Sequence, residues 1–266
     1  MSVLHRNNVQ ISGAAAQPIV FAHGFGCDQT MWRFVSPDFE ADHQVVLFDH
    51  IGCGRSQLDA YDEQRHAKLD GYAQDLVEVL AACNLQGATI VAHSVSAMIA
   101  VLAARLAPER VGRLVLLGPS PRYVNDPPDY TGGFERADID ALLDLVESNM
   151  LGWADYLAPA VMGLKPDDTL TQELHESFCA IDPYITKRFA LTTFLSDNRA
   201  DLPQVKVPTL IIQCSDDAIA PRVVGEYVHQ HIAGSEMATI EASGHCPHMT
   251  HPAQTVALIR QFLRPR

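Results

Sequence analysis

An α/β architecture, a mostly parallel sheet flanked by helices with a helical segment inserted into it, is predicted by three features of the sequence. Short apolar runs ending in turn residues recur along the chain, helical patterns lie between them, and this alternation stops at Gly118 and resumes near Pro208. Continuous Val/Ile/Leu runs without polar alternation suit strands covered on both faces, as in a parallel sheet. Strand–helix alternation is the mark of the α/β class.

The elements follow in order. PIVFAHG (18–24) is a strand run that opens into the Gly-rich turn His23–Gly26, and QVVLFDH (44–50) is one that ends at the turn Gly52–Ser56. Tyr72, Leu76, Val79 and Leu80 share one helical face; ATIVAHS (88–94) is the next strand run, and the apolar helix Ala97–Leu106 follows it, suited to burial against a sheet. RLVLLGP (113–119) closes the first half. Residues 121–204 then show helical stripes only: Ile139, Leu142, Leu143, Val146 and Met150; Leu174, Phe178 and Ile181; Phe189, Thr193 and Phe194. They open with the turn-rich PSPRYVNDPPDYTGG, so they read as a helical insertion. TLIIQCS (209–215) and EMATIEASG (236–244) resume the sheet. The expected organisation is a core of residues 1–120 and 205–266 with a helical cap at 121–204, and a pocket between cap and sheet.

Composition narrows the function. The 266 residues carry a net charge of −13, with 47% hydrophobic and 19% charged residues. This is ordinary globular composition, and an acidic chain is poorly placed to displace counterions from nucleic acid. The N-terminal stretch has no apolar run after a basic segment, and no apolar run is long enough to span a bilayer. Six cysteines are scattered without a C-x-x-C pair, which signals neither a disulfide framework nor a zinc site. A cytoplasmic location is the expectation. His245, His248 and His251 form H-x-x-H-x-x-H, but Pro247 and Pro252 interrupt any helix that would align them. Gly52–Ser56 lacks the phosphate-loop form. No metal or other cofactor is expected.

The chemistry concentrates at Ala92-His93-Ser94-Val95-Ser96, between a strand run and a helix. A serine at such a turn fits the nucleophile elbow G-x-S-x-G, with small Ala92 and Ser96 in the glycine positions; as a simple alternative, Ser94 is a helix N-cap. A nucleophilic serine needs a base and a group that orients it. Downstream, in the order acid then histidine, stand Asp216-Asp217 and His245, each just past a strand run. The two aspartates compete for the acid role; Asp217 is preferred because it heads the next helical segment. Donors for a developing oxyanion are the N–H of Phe25, in a His23-Gly24-Phe25-Gly26 loop that follows the first strand run, and the N–H of Val95.

Together the segments HGFGCDQTMW, FDHIGCGRS, AHSVSAMI, LGPSPRYVNDPPDYTGGFE, FLSDNRADL, IIQCSDDAIAP and GHCPHMTHP resemble the α/β-hydrolase superfamily. Within it they resemble the RsbQ-like branch of bacterial energy-stress regulators, related to the plant strigolactone and karrikin receptors. The resemblance spans nearly the whole chain. It implies the α/β-hydrolase fold, a triad of Ser94, Asp217 and His245, oxyanion donors Phe25 and Val95, and a substrate pocket carrying Tyr123, Phe134, Trp153 and Phe194. It also implies a serine hydrolase acting on a small apolar ester or lactone in signalling or stress regulation, with a PAS-domain or phosphatase-type partner. Two other readings fit the same resemblance: a ligand-binding receptor or adaptor working through its partner, and a metabolic carboxylesterase. Ser94 argues against a dehalogenase, which has aspartate at the elbow. Ala92 departs from the usual glycine.

Overall fold

The computed structural model describes residues 2–264. Along the chain run α1 (Val3–Arg6), β1 (Gln10–Ser12), β2 (Pro18–Ala22), β3 (Gln44–Leu47), α2 (Leu69–Ala82), β4 (Ala88–His93), α3 (Val95–Leu106) and β5 (Val111–Leu117). Four helices follow, α4 (Arg136–Ser148), α5 (Met150–Met162), α6 (Thr169–Ala180) and α7 (Pro183–Phe194). The sheet resumes with β6 (Thr209–Asp216), α8 (Arg222–His231), β7 (Glu236–Ser243), α9 (Pro247–Thr250) and α10 (Pro252–Leu263). This is the α/β-hydrolase architecture expected from the sequence. The outermost ends of the expected core, residue 1 and residues 265–266, lie outside the described residues.

All six apolar runs form strands. The seven-stranded sheet has the order β1-β3-β2-β4-β5-β6-β7, and every neighbour pair is parallel except β1 with β3. The edge strand β1 escaped the sequence reading: it is three residues long with no apolar run. Successive strand residues point to opposite faces, and the core divides accordingly. Val20, Ala22, Ile90, Ala92, Leu114 and Leu116 pack beneath α2 and α3, while Ile19, Phe21, Val91, Val115 and Leu117 meet Trp32, Phe39 and Ile259 on the other face.

The strand order places the site. From β2 the chain moves outward to β3, then returns to β4 on the other side of β2. Ligand chemistry in open α/β sheets gathers at such a reversal, outside the carboxyl ends of the strands. The loop after β2 and the turn after β4 therefore open side by side. The helical insertion sits over this edge. Its two ends meet where Asn198 N–H donates to the Pro121 carbonyl at 2.8 Å and Arg122 pairs with Asp197 at 2.7 Å.

Candidate active site

Ser94 is the first residue past the fully buried β4, and it adopts φ 57° and ψ −123°. A positive φ is costly for a residue with a Cβ. The strain is held by hydrogen bonds on both sides: Ser94 N–H donates to Leu117 O at 2.8 Å, and Ala97 N–H to Ser94 O at 2.9 Å. The turn lifts the side chain out of the sheet. Its hydroxyl does not cap α3; it donates to His245 Nε2 at 2.8 Å. The other ring nitrogen, Nδ1–H, then donates to Asp217 Oδ2 at 2.7 Å.

Geometry separates the two aspartates. Asp217 is buried, and its second oxygen accepts from the N–H groups of Ile219 and Ala220 at 2.8 and 3.0 Å. Those bonds aim its other oxygen at His245. Asp216 points to the surface and accepts from Ser243 Oγ at 2.8 Å. His245 is held as well: its carbonyl accepts from His93 Nε2–H at 2.9 Å. Gly118, with φ +54°, lies behind the ring, where a Cβ would stand 2.7 Å from His245 Cε1.

Val95 is the first residue of α3, so its N–H has no partner within the helix. Phe25 lies in the loop after β2, and its ring is enclosed by aromatics of the helical insertion: Phe189 at 5.3 Å, Phe194 at 5.8 Å, Trp153 at 5.9 Å and Phe178 at 6.4 Å between centroids.

A cavity of about 30 Å³ lies before Ser94 and His245. One water needs about 10–15 Å³, so the space has room for water but not for an acyl group. Of the four pocket candidates, Tyr123 and Phe194 line it, and so does Phe25. Phe134 and Trp153 do not. Phe134 pairs through its backbone with Tyr123 and Asn125 at the neck of the insertion. Trp153 is wholly buried one layer back, behind Phe25 and Phe178. Leu157, Val161, Phe178, Thr193 and Ile219 complete the wall, with Cys27 and Cys246. Phe178 and Thr193 belong to stripes visible in the sequence, but periodicity marks an inward face and not which side chain reaches the cavity. Burial pushes the Tyr123 hydroxyl up to about 12, so it stays a neutral donor.

One group of side chains has the composition of a metal site. His93, Cys246 and His248 are buried with donor atoms within 4.8 Å of one another. It is not the H-x-x-H-x-x-H set, since the His245 ring bonds Ser94 and Asp217. Burial pushes His248 down to about 3 and the Cys246 thiol well up. The His93 nitrogen facing Cys246 Sγ at 3.9 Å is the one already bonded to the His245 carbonyl. The donor set fits neutral packing of rings, with His248 against Trp32 and His93 at 4.6 and 4.4 Å.

The Alpha/beta hydrolase family model matches residues 19–258. The chain belongs to the alpha/beta hydrolase family. Within the family it falls in the RsbQ-like branch, beside the plant receptors. It is 38% identical over 258 residues to Karrikin insensitive 2 receptor CA of Petunia hybrida, covering 97% of this chain and 95% of that one. It is 35% identical over 263 residues to Strigolactone esterase D14 of Arabidopsis thaliana, covering 98% of both. Among solved structures, a hydrolase from Oleispira antarctica superposes with a TM-score of 0.96 at 42% identity, over 99% of this chain and 97% of that one. Hydrolase function is supported by the family and by the esterase and the hydrolase among these relatives. Among its described residues no helix is long and apolar enough to cross a membrane.

Proposed function

We propose that the protein is a serine hydrolase that cleaves a small apolar ester or lactone through an acyl-enzyme on Ser94. The observation that carries this reading is the continuous relay from Ser94 Oγ to His245 at 2.8 Å and on to Asp217 at 2.7 Å. As Ser94 Oγ attacks the substrate carbonyl, its proton passes to His245 Nε2. Asp217 holds the ring and stabilises the imidazolium. The carbonyl oxygen gains negative charge facing the N–H groups of Phe25 and Val95. Collapse breaks the C–O bond, and His245 returns the proton to the leaving oxygen. Water then enters and attacks the acyl carbon as His245 takes its proton; collapse breaks the bond to Ser94 Oγ, which regains the proton from His245 as the acid leaves.

Residues 121–204 act as the cap. The walls before Ser94 are mostly apolar, which favours an apolar acyl group. The cavity is too small for one as it stands, so the cap shifts to admit substrate. A signalling role follows from that coupling: an acyl-enzyme biases the cap, and a PAS-domain or phosphatase-type partner in the cytoplasm reads it. The small cavity also favours a second reading, a receptor whose ligand opens the cap and whose turnover is incidental.

Ser94→Ala separates the two. Hydrolysis of a short p-nitrophenyl ester should fall by about 10⁶ in kcat, and a fluorophosphonate should add its mass to Ser94. An adduct on Ser96 or Ser56 instead would overturn the assignment. Full partner readout by the folded Ser94→Ala protein would favour the receptor.

A further inference from the structure

The elbow motif has glycine two residues after its nucleophile; this chain has Ser96, and the side chain is wholly buried. Its hydroxyl donates to the His23 carbonyl at 2.5 Å. With its only proton committed there, it accepts in its other contact, from His50 Nε2–H at 2.7 Å. His50 also acts through its backbone: its N–H donates to His23 Nε2 at 3.0 Å. That bond leaves the His23 proton on Nδ1, which donates to the Gly24 carbonyl at 2.8 Å.

The last of these bonds falls on a particular peptide. The Gly24 carbonyl and the Phe25 N–H belong to one plane, and in a trans peptide they point in opposite directions. Holding the carbonyl against the His23 ring therefore sets the direction of the Phe25 N–H. His50 is anchored in turn by edge-on contacts with Phe48 and Tyr72 at 5.1 and 5.9 Å.

We propose that Ser96 and His50, acting through His23, are positioning residues that fix the Gly24–Phe25 peptide as an oxyanion donor. This rests on the reading of Ser94 as nucleophile. The hydroxyl at position 96 is then a working part of the site and not a small residue tolerated in a glycine position. It joins the elbow after β4 to the loop after β2, so that nucleophile and donor keep one spacing. Burial lowers both imidazoles, His50 well below its ordinary value, which favours the neutral rings the circuit needs.

The test compares wild type with Ser96→Gly, Ser96→Ala, His50→Phe and His50→Gln on p-nitrophenyl acetate. A misdirected donor costs part of what a deleted one does, so Ser96→Gly and His50→Phe should each lower kcat by about 10–100-fold with KM within about twofold. The two changes break one circuit, so Ser96→Ala with His50→Phe should be no worse than either alone. His50→Gln keeps a side-chain N–H donor and should recover most of the loss. Affinity for an aryl boronic acid, which forms a tetrahedral anion on the serine, should fall in step with kcat. Affinity for the isosteric amide should hold. Wild-type kcat in Ser96→Gly, additive losses, or a lowered Tm with unchanged turnover would each overturn the inference. Normal fluorophosphonate labelling of Ser94 with unimpaired turnover removes this inference alone. Failure of wild type to label at Ser94 removes the nucleophile reading and this inference together.

Discussion

The backbone N–H of His245 donates to the carbonyl of Val161 at 2.6 Å. The ring that faces Ser94 is thus pinned to the last turn of α5. Just beyond, Gly163 ends α5 with φ +65°, and a Cβ there would stand 2.5 Å from Gly244 N. The proposed cap and the histidine loop are in backbone contact, so displacement of one is felt by the other.

Gly163→Ala tests this coupling. The new methyl carries both a left-handed backbone cost of about 1–3 kcal/mol and a clash with the histidine loop. Because small misplacements of catalytic groups cost up to about 10²-fold, kcat should fall by about 10–100-fold in a protein that still unfolds cooperatively. Steady-state kinetics beside thermal unfolding reads both quantities. A lowered Tm with unchanged kcat would show that the contact does not reach the ring.

Asp217→Asn should lower kcat by about 10⁴, because the amide no longer holds the His245 tautomer. Asp216→Asn should stay close to wild type, since the Asp216 carboxylate turns outward to Ser243 and the substitution keeps the backbone carbonyl that accepts from Gly244 N–H. Comparable losses in the two variants would contradict the geometry.

Trp153→Ala and Leu157→Ala should behave differently although they lie on one helix. Trp153 is a wholly buried prop behind Phe25, so its truncation should cost about 3–5 kcal/mol of stability. Leu157 lines the cavity. Its truncation should shift the kcat/KM ratio of bulky over short acyl esters by about 10–200-fold. Urea unfolding and a small ester panel distinguish the roles.

Acid should destabilise the fold by a traceable route. Burial lowers the imidazoles of His23, His50, His93 and His248, the last to about 3. As pH drops through about 6.5 the unfolded chain protonates these rings before the native chain does. The unfolded state then binds more protons, so stability falls with pH. Each ring contributes up to about 1.4 kcal/mol per pH unit, over a window that for His248 runs from about 6.5 down to about 3. Urea midpoints at pH of about 7.5, 6 and 5 should decline, and His248→Phe should flatten the slope by up to one proton. An unchanged slope would show that the ring is charged in the fold.

The sequence by itself determined the strand runs, the interruption between Gly118 and Pro208, and the positions of Ser94, the Asp216–Asp217 pair and His245; the fold decided which aspartate meets the ring. Those features are local or ordered along the chain: apolar periodicity follows from backbone geometry, and the elbow, acid and histidine each follow a strand. Only the tertiary structure decided which side chains see the cavity. Trp153 and Leu157 are four residues apart on α5, yet one supports the wall and the other forms it, a difference set by the packing of α4 and α6 against the helix. The three-residue β1 depends on pairing with β3, since it is too short to show a pattern. The circuit through His23, His50 and Ser96 was also invisible, because it joins segments that follow β2, β3 and β4. Its bonds exist only once the sheet has brought those loops to one edge.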